Sequence, residues 1–344
     1  MSTRIRVGVV GAGANTRHLH IPRLQAIDGV EVVSVCNRSH ASGARVAEEF
    51  GIPQVLTTWR EVVDSDVDAV VIGTWPYLHE QVTVAALNAG KHVLCEARMA
   101  RDAAEARRML AASRAHPDLV AQIVPSPMTV RVDRTIQRLM AEGVLGELLV
   151  VDARVSTGFL DRDAPLHWRQ DTDLSGRNIM TMGIWYEAMM RWVGTARRLS
   201  AMGRTFVTRR RDASGVLRDA LVPEHIDITA ELHCGAQLHL QVSAVMGLTG
   251  GSQIHLCGSA GTIRFDSDTD TVWAGRNGDD ALAEMEVRPE EEQSWRVEDE
   301  FVGAIRGEEE IVLTPFKIGL QYMEFTDAVG HSLSTGRVVT VEPA

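Results

Sequence analysis

The most constraining feature of this chain is a short apolar run, Arg4 to Val10, that passes directly into Gly11-Ala12-Gly13-Ala14-Asn15 and then into helical spacing to about Ile27. A Val-rich run without alternation is what a parallel strand buried on both faces requires. A glycine turn between such a strand and a helix is the context of a dinucleotide fingerprint. Gly11 permits the tight turn. Gly13 lets the backbone approach a pyrophosphate, whose charge the helix N-terminus favours. The third glycine of the fingerprint is replaced by Thr16.

The same alternation continues through the first third of the chain. Strand patterns at Glu31 to Cys36, Ala69 to Gly73, His92 to Cys95 and Leu119 to Val124 are separated by helical ones, several closed by Gly or Pro. This predicts an α/β domain, a Rossmann doubly wound parallel sheet over residues 1–125. Ligands in such sheets bind beyond the carboxyl ends of the strands. Gly11, Gly13, Ala14, Asn15, Asn37, Arg38, Ser39, Thr74, Trp75, His79 and Glu96 fall there and are the expected cofactor-binding residues. An acidic residue commonly follows the second strand to hold both ribose hydroxyls of NAD. Here the text is Asn37-Arg38-Ser39, so Arg38 and Ser39 are free to hold a 2′-phosphate. NADP is therefore the preferred expectation and NAD the alternative.

Beyond Pro125 and Pro127 the pattern changes. A helix over Val132 to Met140 leads to strand-like runs at Glu147 to Val155, Ile226 to His233, Gln237 to Val245, Gln253 to Cys257 and Thr262 to Phe265. These predict a C-terminal α+β domain, residues 126–344, with a large, mostly antiparallel open sheet. Helices are expected near Glu298 to Ile305 and Phe316 to Leu333.

Composition narrows the partners. A formal charge of −11 disfavours nucleic acid and anionic membrane. No apolar run approaches the ~18 residues of a membrane span. Cys36, Cys95, Cys234 and Cys257 are scattered, and the N-terminus shows no signal-peptide pattern, so a reduced, cytoplasmic protein is expected. His233, Cys234, His239, His255 and Cys257 do not follow a known zinc spacing, so no metal is expected.

Gly90-Lys91-His92-Val93-Leu94-Cys95-Glu96-Ala97-Arg98 resembles a signature of the Gfo/Idh/MocA family of nicotinamide-dependent oxidoreductases, which usually reads Gly-Lys-His-Val-Leu-Cys-Glu-Lys-Pro. Thr74 to His79, Trp295 to Arg306 and Ser332 to Val341 are similar to further family segments, so the resemblance spans nearly the whole chain. It implies a cofactor half, a substrate-binding half and a homo-oligomer, dimer or tetramer, built on the open sheet. It also exposes a departure. Ala97 replaces the usual catalytic lysine, and in Ser175 to Tyr186 the usual aspartate and histidine are Thr181 and Trp185.

Oxidising an alcohol requires a base within hydrogen-bond reach and with a suitable pKa. Alanine, threonine and tryptophan cannot serve. Arg98 can polarise a carbonyl or hold a carboxylate. His167 and Tyr186 are the candidates for moving a proton. Arg169 is assigned to substrate by the resemblance, Thr181 lines the substrate position, and Trp185 offers a stacking wall to a sugar face. The expected function is hydride transfer between nicotinamide and a sugar-like, polyol or small carbonyl substrate. The alternatives are glycoside hydrolysis or elimination without net redox change, C=N reduction, or a silent cofactor-binding protein.

Overall fold

A computed structural model describes residues 4–343. The chain divides into two compact units. One holds the N-terminal stretch through Pro125 together with Asp173–Gly176 and Arg296–Met323, and the other holds the rest.

In the first unit, β1 (Ile5–Val10), β2 (Val30–Cys36), β3 (Gln54–Leu56), β4 (Ala69–Ile72), β5 (His92–Cys95) and β6 (Ala121–Ile123) form a parallel sheet in the order β3-β2-β1-β4-β5-β6. The order runs outward from β1 in both directions, as in a doubly wound Rossmann sheet. The central strands carry almost only Val, Ile, Leu and Ala because both faces are covered. Val7, Val9, Val70, Ile72, Val93 and Leu94 are fully buried, each worth roughly 1.5–3 kcal/mol of burial.

The helices between the strands are α1 (Ile21–Ala26), α2 (His40–Phe50), α3 (Trp59–Asp64), α4 (His79–Asn88) and α5 (Ala103–Ala115). Their starts follow their sequence. Ser39, Thr58 and Asp102 each accept a bond from the backbone amide three residues on, and α2 stops at Gly51 in the left-handed region. α1 is preceded by a turn of π-helix, Thr16–His20, where continuous helical spacing had been expected.

The second unit begins with α6 (Asp133–Ala141) and β7 (Leu148–Ser156). α7 (Thr172–Ser175) lies at the division, and α8 (Met182–Val193) follows. Next come β8 (Ala196–Arg204), the small hairpin β9 (Arg209–Arg211) with β10 (Leu217–Asp219), and then β11 (His225–Leu232), β12 (Gln237–Ser243), β13 (Gln253–Gly258), β14 (Gly261–Asp266), β15 (Thr271–Arg276) and β16 (Ala283–Met285). α9 (Val297–Arg306) belongs to the first unit, the division cuts α10 (Phe316–Thr335) after Met323, and β17 (Val339–Thr340) is the last element.

The large sheet has nine strands in the order β16-β15-β14-β13-β7-β12-β11-β8-β17. It is antiparallel except where β7 pairs parallel with β12. β7 is drawn from early in the chain and inserted between two later hairpin runs, which makes the sheet mixed rather than a simple meander. Alternate residues on β11 to β15 are buried, so one face is covered and the other carries half-exposed polar side chains.

Candidate functional site

The first strand-to-helix turn is shaped by a close approach of two chain segments. Gly11 has φ +86° and donates its amide to the Cys36 carbonyl at 2.8 Å. A Cβ on Gly11 would lie 2.7 Å from the Thr74 nitrogen, and one on Gly73 would lie 1.9 Å from the Thr16 hydroxyl and 2.3 Å from the Gly11 carbonyl oxygen. The role of the missing third glycine has thus moved to the facing strand end. Thr16 is buried against Gly73, and helix and sheet approach as closely as the fingerprint demands. Gly13, Ala14 and Asn15 are left exposed. The turn therefore keeps an open backbone at a helix start, where a pyrophosphate fits.

Asn37 braces this turn from the neighbouring one, its side-chain oxygen accepting the Ala12 amide at 2.7 Å. Arg38 is exposed, with its guanidinium 5.1 Å from the centre of the Trp75 ring. Ser39 caps α2. No carboxylate occupies Asn37, Arg38 or Ser39, the three positions after β2. Thr74 is half-buried and its hydroxyl has no hydrogen-bond partner.

Glu96 continues the β5 pairing through its amide to the Ile72 carbonyl at 2.9 Å. The residue is 8 % exposed. One carboxylate oxygen accepts from His20 Nε2 at 3.1 Å and the other from the Ala97 amide at 3.1 Å. His20 is fully buried, and its Nδ1 lies 2.5 Å from Glu298 Oε1. Burial alone would push the imidazole down, but the two carboxylates outweigh it and hold His20 at about 9. Burial would likewise raise the Glu96 carboxyl, yet His20 and Asn15 leave it lowered. A cation between two anions is therefore sealed beside the glycine turn. Sequence reading missed both His20 and Glu298. Glu298 stood in the Trp295 to Arg306 segment, but only the fold brings it to His20, 278 residues away in sequence.

The segment after Glu96 is pinned by its backbone. The Ala97–Arg98 peptide is cis. His79 Nδ1 and Nε2 lie 2.9 Å from the carbonyl oxygens of Arg98 and Thr74, and the Met99 amide donates to the Tyr322 hydroxyl. His79 is completely enclosed. Burial draws its pKa below the ordinary value, against the pull of the two carbonyls. It was expected to contact cofactor. Instead it ties two strand-end loops together and has no face for a ligand. Arg98 is also a correction. At 1 % exposure its guanidinium is interior, not an open clamp for a substrate oxygen.

In the second unit, Tyr186 departs furthest from expectation. It lies on α8 and is buried. Its hydroxyl accepts the Ala196 amide at 2.7 Å, and its ring stacks 3.6 Å from that of Phe325. Burial pushes its pKa up, the reverse of what a proton relay needs. Trp185 is buried as well, at 4 % exposure, so it presents almost no stacking surface. Both corrections have one cause: α8 is apolar nearly all round and nine of its twelve residues are buried.

Arg191 and Trp192, next along the helix, hold the unit together. Arg191 binds Asp133 at 2.6 Å, the Ser126 carbonyl at 2.7 Å and Glu187 at 2.8 Å, and Trp192 donates to Asp133 at 2.7 Å. Thr181, at the N-terminus of α8, is half-buried with its hydroxyl unpartnered.

His167 is exposed and caps a short 3₁₀ turn, Trp168–Gln170, where its Nδ1 accepts the Arg169 amide at 3.3 Å. A neutral ring that accepts through Nδ1 carries its proton on Nε2. Arg169 stacks over Trp168 at 4.3 Å. On the large sheet, His239 pairs with Asp152 at 2.9 Å. Among the described residues no three His, Cys, Asp or Glu side chains gather to hold a metal, and no helix is long and apolar enough to cross a membrane.

A Rossmann sheet with a glycine-turn nucleotide cradle, together with a unit built on a large mixed open sheet, defines the class of two-part NAD-binding oxidoreductases. Residues 5–122 match an oxidoreductase family with an NAD-binding Rossmann fold, and residues 134–264 match the C-terminal domain of the same Gfo/Idh/MocA family. The chain belongs to the Gfo/Idh/MocA family. It is 44% identical over 110 residues to a 1,5-anhydro-D-fructose reductase of Ensifer adhaerens, covering 32% of this chain and 33% of that protein. It is 33% identical over 178 residues to glucose-fructose oxidoreductase domain-containing protein 2 of Bos taurus, covering 52% and 45%. The matched stretches thus span a third to a half of these curated relatives. In fold it is similar to a levoglucosan dehydrogenase solved with NADH and L-sorbose, with a TM-score of 0.85 at 20% identity over 98% of this chain and 99% of that one.

Proposed function

We propose that this chain is a nicotinamide-dependent oxidoreductase that exchanges a hydride with a sugar-like or small polyol or carbonyl substrate. The observation that carries the reading is the nucleotide cradle: an open backbone at Gly13, Ala14 and Asn15, with a carboxylate, Glu96, held at both oxygens at the end of β5. Gly11, Gly13, Ala14 and Asn15 would take the pyrophosphate, Thr74 and Trp75 would flank the cofactor, and Glu96 would meet its nicotinamide end. The cofactor supplies the hydride acceptor or donor. Sugar-active relatives support the substrate class, among them a reductase of 1,5-anhydro-D-fructose and a dehydrogenase of levoglucosan.

The chain's own residues favour reduction of a carbonyl. The Thr181 hydroxyl, which has no hydrogen-bond partner, can donate to a carbonyl oxygen and polarise it. A lysine base is missing at Ala97. The enclosure of Tyr186 favours a second reading, a nucleotide-binding protein without turnover.

NADP is the proposed preference. Arg38, backed by the Trp75 ring, and Ser39 stand where a 2′-phosphate is met, with no opposing carboxylate. A second copy of the chain is the proposed partner of the open sheet face, where Val150 and Met202 are exposed. Sedimentation would show a monomer if that is wrong.

The purified protein tests the reading through its bound nucleotide and through reduced-nicotinamide absorbance. Carbonyl substrates such as 1,5-anhydrofructose are supplied with reduced cofactor, and polyols and levoglucosan with oxidised cofactor. Net change in absorbance supports the reading. Tight binding without turnover selects the silent alternative, and no nucleotide binding removes both. Arg38→Ala is expected to weaken NADPH about tenfold or more, the worth of a charged hydrogen bond, while leaving NADH unchanged.

A further inference from the structure

The His20 imidazole lies in the first turn after the glycine loop and touches two carboxylates that the sequence keeps far apart. Its Nε2 is 3.1 Å from Glu96 at the end of β5, and its Nδ1 is 2.5 Å from Glu298 in the first turn of α9. Both His20 and Glu298 have no solvent exposure. A buried ion needs compensation to persist, and here each charge compensates the others. His79, drawn below its ordinary value by burial, faces Glu96 at longer range. The π-helical turn Thr16–His20 that carries the imidazole is a departure from regular helix of the kind found at working sites.

We propose that His20 is a positioning residue: anchored by Glu298, it holds the Glu96 carboxylate ionised and in one orientation, and so sets the affinity of the site for the dinucleotide. This rests on the reading of the glycine turn and Glu96 as a cofactor site. His20 itself touches no ligand. It acts through Glu96, and its anchor lies on α9, a late segment of the chain that belongs to the nucleotide-binding unit.

Two conservative substitutions separate the contacts. His20→Gln keeps a donor near the Nε2 position, toward Glu96. His20→Asn keeps one near Nδ1, toward Glu298, and abandons Glu96. Dinucleotide affinity is measured by calorimetry from pH 6 to 9, and His20 protonation by side-chain ¹⁵N NMR of the full chain. The expected results are an imidazolium signal at pH 7.5, at least tenfold weaker dinucleotide binding by His20→Asn, and partial rescue by His20→Gln. The affinity of the Gln variant should fall toward acid pH, as Glu96 loses its cation and gains a proton. Glu298→Gln carries the same test if His20→Asn does not fold. It should lower the ¹⁵N-observed pKa of His20 and weaken binding. If the wild-type chain binds no dinucleotide, both the functional reading and this inference fall. If the wild type binds and His20→Asn binds equally well, or the ring is neutral at pH 7.5, only the inference falls.

Discussion

The His20 charge should be visible as a pH-dependent stability. The imidazole rises from 6.5 to about 9 on folding, a difference worth about 3 kcal/mol at roughly 1.4 kcal/mol per unit. Because the folded value lies above the unfolded one, that stabilisation is fully present below pH ~6.5 and is lost as pH rises through about 9. Between pH 7 and 8.5 the slope should approach about −1.4 kcal/mol per pH unit. His79, His92 and Cys95 do not produce this slope in that window. His79 and His92, drawn down by burial, cost stability only on the acid side. Cys95, pushed up by burial, adds a decline only above its ordinary value of 9. Urea unfolding followed through Trp59 and Trp75, the tryptophans of the first unit, reports on the relevant core. His20→Gln should abolish the slope and shift the loss to acid pH, where the uncompensated Glu96 protonates. A flat wild-type profile from pH 7 to 8.5, or the same slope in His20→Gln, would refute the charged triad.

Three further outcomes follow from the packing. Gly73→Ala brings a Cβ within 1.9 Å of the Thr16 hydroxyl and 2.3 Å of the Gly11 carbonyl. Overpacking of this kind costs about 1–3 kcal/mol or more, and nucleotide affinity should drop with it. Adding Thr16→Gly should recover only part, since the carbonyl clash remains, and calorimetry separates the two. Arg191→Met removes the cation that faces Asp133 and Glu187, each almost fully buried, and should cost about 3–5 kcal/mol in denaturant melts. Tyr186→Phe leaves the Ala196 amide without its acceptor and should cost about 1–3 kcal/mol while sparing kcat. Loss of turnover in a folded Tyr186→Phe would return that residue to the chemistry.

Elements were legible where local pattern and burial agree. β1, β4 and β5 are continuous apolar runs because the parallel sheet is covered on both sides, and their strand ends located the nucleotide cradle. β8 was not anticipated. Its Arg197, Arg198, Met202 and Arg204 point to an exposed face and mask the buried Ala196, Leu199 and Ala201. The π turn at Thr16–His20 also lay beyond reach, since apolar spacing there resembles ordinary helix. In the site, absent residues read correctly as absent: no lysine at 97, no acid after β2. The substitutes proposed from neighbouring positions fared worse. Arg98, Tyr186 and Trp185 are suitable by residue type, but burial decides whether a side chain can meet a ligand, and all three are enclosed.

By itself, the sequence determined that the chain builds a parallel nucleotide-binding sheet followed by a large open sheet, because the periodicity of apolar residues and the placement of glycines are local properties. Only the tertiary structure decided that Thr16 and Gly73 together do the work of a fingerprint glycine, that β7 enters the large sheet parallel to β12, and that Glu298 reaches His20 across 278 residues. Those are matters of contact between distant segments. A buried charge is tolerable only where such contact supplies its counter-charge, and nothing in the neighbourhood of His20 along the chain announces where that counter-charge will come from.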